Sequence, residues 1–132
     1  MGKHITRRIL KLMVSNNIII EKSKVLILGL TFKENCPDIR NTKVIDIVNE
    51  FNDYGASLDI VDPWASRIDV KQEYNLKIKN SIPEQKYDAV VLAVAHKQFL
   101  EINLENYTFE NSIIFDIKSF LPDFKKIKIH RL

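Results

Sequence analysis

Apolar residues along this chain alternate between short continuous runs and longer stretches in which they recur at helical spacing. The run at residues 25–30, Val-Leu-Ile-Leu-Gly-Leu, is followed by a polar loop, which is typical of a strand buried on both faces. Similar runs at 58–61, 89–94 and 112–117 predict three more strands, and residues 128–130 predict a short last one.

The stretches between these runs predict helices. Residues 44–54 place their apolar side chains on one face and their acidic side chains on the other, and weaker patterns predict helices over about 66–74 and 97–100. Strands that alternate with helices pair in parallel through right-handed crossovers. The predicted fold class is therefore α/β, a three-layer, Rossmann-like parallel sheet with helices on both faces. Ligands of such sheets bind beyond the carboxyl ends of the strands, which here are the loops that follow Leu30, Val61, Val94 and Ile117.

Residues 1–22 do not follow this alternation. Ile5, Ile9, Leu12 and Met13 form one apolar stripe, which predicts a single helix. We interpret residues 1–22 as the end of a preceding domain with its linker, and residues 23–132 as the domain itself. The stripe is expected to dock on a neighbouring domain rather than on a membrane, because it is short and has no aromatic anchor.

Composition excludes several classes of protein. The chain has 132 residues, of which 45% are hydrophobic and 28% charged, as expected for one soluble globular domain. No transmembrane stretch or signal peptide is visible, so a cytoplasmic location is the default expectation. Cys36 is the single cysteine, which excludes an internal disulfide and a multi-cysteine metal site.

The net charge of +3 comes from the two ends of the chain. Residues 1–24 have six Lys or Arg and one acid, and residues 121–132 have four Lys or Arg and one acid. The remaining residues, 25–120, have ten bases and fifteen acids, a net charge of −5. The negative net charge of residues 25–120 argues against nucleic acid as a partner.

The loop at residues 29–42, Gly-Leu-Thr-Phe-Lys-Glu-Asn-Cys-Pro-Asp-Ile-Arg-Asn-Thr, occupies the place of a phosphate loop between the first strand and its helix. It lacks the G-x-G-x-x-G fingerprint, but it has Lys33 and Arg40 near the amino end of the helix, which favours anions. This chemistry points to a phosphate or nucleotide site. The structural alternative is a solvated loop in which Lys33 pairs with Glu34 or Asp38.

Residues 25–42 resemble the opening of the C-terminal, UDP-binding domain of the UDP-glucose/GDP-mannose dehydrogenase family. The resemblance rests on the G-x-x-[FY]-K core and the spacing of seven between Lys33 and Arg40. It continues at Asp62-Pro63, in Ala-Val-Ala-His-Lys-Gln-Phe at 93–99, in Phe-Asp-Ile-Lys at 115–118, and at residues 1–5, which resemble the helix that ends the family's central domain. The Asn-Cys-Pro-Asp-Ile-Arg-Asn segment and the Ala-His pair are most similar to members that act on UDP-N-acetylhexosamines.

This resemblance implies an enzyme that oxidises a UDP-sugar alcohol to the uronic acid in two NAD-dependent steps, for a surface polysaccharide. In the family, an N-terminal domain holds NAD, a central domain forms the homodimer, and the C-terminal domain grips UDP and closes the active site. The glycine-rich NAD loop and the catalytic cysteine of the family have no counterpart in this chain. We therefore expect the chain to be inactive alone and to contain no catalytic residue.

The resemblance also implies roles for single residues. Phe32 and Lys33 match the substrate-contacting Phe-Lys pair of the family, and Arg40 matches the arginine that reaches the NAD pyrophosphate. Where some members have an Arg-Arg pair after the last core strand, this chain has Lys118, which we expect to take over part of the contact with substrate.

Four further residues have a functional and a structural interpretation. Cys36 is either a thiolate nucleophile or a packing residue, and it does not match the position of the family's nucleophile. His96 is either a general base or a residue that caps the next turn or packs near the nucleotide. Asp62 either holds an NAD ribose or stabilises a turn, and Trp64 is either a stacking platform or a packing residue.

Two other functions compete with the fragment of a dehydrogenase. The chain is alternatively a stand-alone nucleotide-binding or interaction module without catalysis, which would use its basic first helix to dock a partner. The third candidate is a small, complete NAD-dependent oxidoreductase, although the missing glycine fingerprint argues against that class.

Overall fold

The computed structural model describes residues 2–132, so Met1, with which the resemblance at residues 1–5 begins, lies outside the described residues. The strands are β1 (Lys24–Leu28), β2 (Ser57–Val61), β3 (Tyr87–Leu92), β4 (Thr108–Asp116) and β5 (Ile129–Arg131). The α-helices are α1 (Gly2–Ser15), α2 (Val44–Asp53) and α3 (Arg67–Tyr74), and short 3-10 helices span Lys97–Glu101 and Leu104–Tyr107. Each element that the apolar pattern predicts is present.

The five strands form one parallel sheet in the order β2-β1-β3-β4-β5. The chain leaves β1 toward β2 on one side and later returns to place β3 on the other side. The connections after β1 and β3 therefore lead toward opposite edges of the sheet, a switch point of the kind at which doubly wound sheets bind ligands. The predicted Rossmann-like parallel sheet is confirmed.

Both faces of the sheet are covered, as predicted, but by different kinds of structure. The α-helices cover one face, where Val48 and Phe51 of α2 and Val70 of α3 are fully buried. The 3-10 helices and the loop before β5 cover the other face through Phe99, Leu104 and Leu121.

Helix α1 belongs to the first of these two layers. Its Ile5, Ile9 and Met13 are buried in the same core as α2, and Leu12 is only partly buried. Helix α1 packs on α2 and β4, which lie in the predicted domain over residues 23–132, so its stripe is buried against that domain. The domain boundary at residue 22 stays a prediction. No helix in residues 2–132 has the length and apolarity needed to cross a bilayer.

Candidate functional site

A small cleft of about 170 Å³ opens at the carboxyl edge of the sheet, next to the amino end of α2. The loops after β1, β3 and β4 all contribute to its wall. Its lining includes the six residues that matter for its chemistry, which are Thr31, Phe32, Lys43, Val94, Ile117 and Lys118. The cleft is thus mainly apolar with lysines at its wall, a composition suited to an anionic organic ligand.

The path of the chain into this cleft depends on Gly29, directly after β1. Gly29 has a φ of +99°, and its amide donates a hydrogen bond to the carbonyl of Val61. A Cβ atom at this position would lie 2.5 Å from Val94 Cβ, so the two loops approach too closely for any side chain. The predicted strand over residues 25–30 consequently ends at Leu28.

In the structure, the loop between β1 and α2 spans residues 29–43 (the 29–43 loop), and Asp62, directly after β2, organises its start. It is fully buried, and its Oδ2 atom accepts hydrogen bonds from the backbone amides of Leu30 at 2.7 Å and Thr31 at 3.0 Å. Its Oδ1 atom accepts from the amides of Trp64 and Ala65 at 2.7 and 3.0 Å. Since both oxygens are occupied and buried, the geometry agrees with the turn-stabilising interpretation and leaves no atom for an NAD ribose.

His96 is the fifth partner of Asp62 and is also fully buried. Its Nε2 atom lies 3.0 Å from Asp62 Oδ2 and 3.0 Å from Thr31 Oγ1, while its Nδ1 atom accepts from the amide of Asn35 at 2.9 Å. Both ring nitrogens are engaged, so neither is free to act as a general base. Burial by itself raises the pKa of Asp62, but the hydrogen bonds from His96 and the loop amides outweigh it and hold that pKa below its usual value.

Phe32 and Lys33 lie on the solvent side of the same loop. The ring of Phe32 is 56% exposed, which is unusual for phenylalanine, and it lines the cleft. Lys33 is exposed beside it but does not line the cleft. Of the predicted Phe-Lys pair, the structure therefore places Phe32 in the lining of the cleft and Lys33 next to it in the chain, outside the lining.

Arg40 forms a bidentate pair with Asp38, in which its Nε and Nη2 atoms each lie 3.0 Å from a carboxylate oxygen. This pairing lowers the pKa of Asp38 to about 2. The structural alternative paired Lys33 with Glu34 or Asp38, but the ion pair of Asp38 is with Arg40. Arg40 is highly exposed and lies outside the cleft.

Lys118 reaches the cleft from the loop after β4, which a second buried carboxylate organises. Asp116 accepts hydrogen bonds from the amides of Lys118, Phe120 and Leu121 and from the guanidinium of Arg131. Asp116 thus shapes the loop after β4 as Asp62 shapes the loop after β1. The exposed Lys118 lines the same cleft as Phe32.

The sequence interpretation missed Lys43. It immediately precedes α2 and lines the cleft, although its position before a helix amino end is readable from the sequence.

Trp64 is partly buried and donates from Nε1 to the Gln98 side chain at 3.0 Å, which agrees with a packing role. Cys36 is a partly exposed free thiol outside the cleft. Residues 3–132 contain no cluster of His, Cys, Asp and Glu able to hold a metal ion.

Comparison with known proteins agrees with this architecture. The profile of the UDP-glucose/GDP-mannose dehydrogenase family, UDP binding domain, matches residues 26–123. The UDP-N-acetyl-D-glucosamine 6-dehydrogenase of Salmonella typhi is 40% identical over 125 residues, which are 92% of this chain and 29% of that protein. Protein CapL of Staphylococcus aureus is 35% identical over 123 residues, again 92% of this chain and 29% of that protein.

Solved structures show the same fold. The UDP-D-ManNAc dehydrogenase of Pyrococcus horikoshii has a TM-score of 0.77 at 18% identity, over 97% of this chain and 30% of that one. The chain thus spans about three-tenths of the relatives that it matches. The profile covers most of the chain, including the 29–43 loop, Asp62, His96 and Lys118. The chain therefore belongs to the UDP-glucose/GDP-mannose dehydrogenase family and corresponds to the UDP binding domain of that family.

Proposed function

We propose that this chain is the UDP-binding part of an NAD-dependent dehydrogenase that oxidises a UDP-N-acetylhexosamine to its uronic acid in two steps, for a surface polysaccharide. The observation that carries the proposal is that Phe32 and Lys118, from two separate loops, line one cleft at the carboxyl edge of the sheet. The names of the curated relatives support the substrate class, since two of them are UDP-N-acetyl-D-glucosamine 6-dehydrogenases.

The residues at the cleft suit the two halves of UDP. The exposed ring of Phe32 offers an apolar face to a uracil or a sugar ring. Lys33 and Lys118 offer ammonium groups to the diphosphate, and Lys43 adds a third at the amino end of α2. Lysine binds phosphate as a mobile point charge, so Lys33 can swing toward a ligand at the cleft mouth.

Arg40 would contact the NAD pyrophosphate from outside the cleft. Its partner Asp38 is on the surface, and exposed ion pairs of this kind contribute little to stability. A pyrophosphate, which also accepts two parallel hydrogen bonds from a guanidinium group, can therefore compete with Asp38 for Arg40.

The chain's own residues do not form a complete NAD site. Gly29 is the only glycine in the 29–43 loop, and Asp62, at the position of a ribose-binding acid, is fully used by backbone amides and His96. NAD supplies the hydride acceptor in such oxidations. We propose that it is held mainly by another domain of a longer, homodimeric enzyme, and that Arg40 reaches across to it.

A titration with UDP tests the binding role. The amides of Thr31, Lys43 and Lys118 in the 15N-labelled chain should shift on addition of UDP, and Lys33→Ala should weaken UDP binding by about tenfold or more, as expected for a lost charge-assisted hydrogen bond. The matched control is Lys125→Ala, which removes an exposed lysine between β4 and β5.

Uridine separates the phosphate contact from the rest of the site. It lacks the diphosphate, so its binding should be equal in the native chain and the Lys33→Ala variant. Equal UDP affinity in Lys33→Ala and Lys125→Ala, or UDP shifts confined to other surfaces, would contradict the proposed site. The substrate class is tested by assaying the longer enzyme with NAD against a panel of UDP-sugars, with UDP-N-acetylhexosamines expected to give the highest kcat/KM.

A further inference from the structure

The tip of the 29–43 loop has few attachments to the rest of the domain. Residues 33–38 are mostly exposed, and the bond from the Phe32 amide to the Asp38 carbonyl closes the loop only on itself. In the described part of the chain, two hydrogen bonds join residues 33–38 to another element, and both use Asn35. Asn35 has a φ of +54°, a left-handed conformation that asparagine tolerates better than most residues.

These two bonds run in opposite directions between Asn35 and the loop after β3. The backbone amide of Asn35 donates to Nδ1 of His96 at 2.9 Å, and its side-chain Oδ1 accepts from the backbone amide of Lys97 at 2.9 Å. Asn35 and residues 96–97 thus each supply one donor and one acceptor, so rotation of the Asn35 or the His96 side chain breaks one of the two hydrogen bonds. Asn35 therefore forms a two-point clamp on residues 96–97.

The tautomer of His96 is set by the same contacts. Since Nδ1 accepts a hydrogen bond from Asn35, the ring proton of the neutral imidazole lies on Nε2, where it faces Asp62 Oδ2 and Thr31 Oγ1. The Thr31 hydroxyl donates its own proton to the carbonyl of Lys33, so its oxygen accepts toward His96. Asp62 thus fixes the ring, and the ring presents an acceptor to the loop tip.

We propose that His96 is a positioning residue whose Nδ1 atom, together with the Asn35 side chain, holds the loop that carries Phe32 and Lys33 in one conformation. Asp62 serves as the anchor behind it, because a buried carboxylate restrains the ring from the opposite side. The effect of this clamp on UDP binding rests on the proposed function, whereas its effect on loop order does not.

Two isosteric variants separate the two nitrogens of His96. In His96→Asn, the amide oxygen occupies roughly the place of Nδ1 and keeps an acceptor for Asn35. In His96→Gln, the longer side chain reaches the place of Nε2 and loses that acceptor. Backbone order parameters of Lys33 and Asn35, from 15N relaxation of the full chain, should be about 0.85 in the native protein and in His96→Asn, and below about 0.6 in His96→Gln.

A histidine 15N correlation spectrum tests the contact on which the proposal depends, since a ring that accepts at Nδ1 from Asn35 must be the Nε2–H tautomer. The matched control is His130→Gln in β5, an edge strand that does not neighbour β1 or β3, and this variant should leave the loop ordered. An Nδ1–H tautomer, or equal loop order in His96→Gln and the native chain, overturns the proposal. Loss of amide protection at Val90 and Leu92 in either His96 variant also overturns it, because His96 would then hold the sheet rather than the loop.

UDP titration of the same variants distinguishes the two proposals. If the clamp and the proposed function are both correct, His96→Gln weakens UDP binding about tenfold and His96→Asn restores it. If UDP does not bind at the cleft at all, the order parameters still decide whether the clamp exists. Loss of loop order in His96→Gln with unchanged UDP affinity overturns the link between the clamp and binding.

Discussion

At the residue scale, Gly29 decides where β1 ends and how the loop enters the cleft. Its positive φ and its contact with Val94 are independent constraints, one on the backbone and one on packing. Gly55, after α2, has a φ of +82°, but a Cβ atom there would meet the flexible Glu21 side chain first, with Cγ at 3.2 Å. Both glycines have a positive φ, but only Gly29 lies against a rigid neighbour. A substitution at Gly55 therefore tests backbone strain alone, whereas one at Gly29 tests strain together with overlap between the two loops.

Gly29→Ala should lower the free energy of unfolding by about 2–4 kcal/mol, because left-handed strain adds to overpacking against Val94. Gly55→Ala should cost only about 1 kcal/mol, since strain acts there without a rigid neighbour. Urea unfolding followed by circular dichroism measures both. Equal losses at the two positions would mean that the loops separate easily and that Val94 imposes no limit.

At the element scale, α1 contributes to the core of residues 23–132, from which the predicted boundary at residue 22 separates it. Ile9 and Met13 have no exposed surface, and Arg8 lies over the ring of Phe115 in β4 at 5.2 Å from its centroid. An amphipathic stripe shows that a helix has a partner, but it does not identify that partner. The contact with α2 and β4 supplies this information.

Ile9→Ala should reduce the free energy of unfolding by about 2–4 kcal/mol, because it leaves a cavity between α1 and the sheet. Val14→Ala is the control on the same helix, since Val14 is 60% exposed, and it should change stability by less than about 0.5 kcal/mol. Thermal or urea unfolding of both variants gives the comparison. An unchanged Ile9→Ala variant would show that α1 is detached from the domain in solution.

At the scale of the whole molecule, the cleft at the sheet edge is lined mainly by apolar residues and lysines. Asp62 and His96 are fully buried and hydrogen-bonded, and Cys36 lies outside the cleft. No nucleophilic thiol or free imidazole lines the cleft within the described residues. Under the proposed function, the groups that carry out the oxidation would therefore belong to other domains of a longer enzyme.

The purified 132-residue chain should therefore form no NADH from UDP-N-acetylglucosamine and NAD, as followed by NADH absorbance. The UDP-N-acetyl-D-glucosamine 6-dehydrogenase of Salmonella typhi, assayed in parallel, is the positive control. Turnover by the chain alone would contradict the assignment of the reaction to other domains.

Much of the fold was readable from the sequence alone. Continuous apolar runs such as 89–94 indicate strands buried on both faces, and their alternation with helices favours a parallel sheet, because the helices supply the crossover connections that parallel strands need. The position of the 29–43 loop at the carboxyl edge follows from the same logic. The motifs around Lys33 and Arg40 also led to the family, which the profile match confirms.

The tertiary structure decided which of the candidate residues share a surface. Phe32 and Lys118 are far apart in sequence but line one cleft, whereas Lys33 and Arg40, which are close in sequence, lie outside it. His96 and Asp62 both follow strands at the ligand edge, yet their side chains point into the protein and bond to each other. Local pattern specifies elements because it depends on neighbours in the chain. Contacts between loops depend on sheet order and side-chain direction, which no local pattern contains.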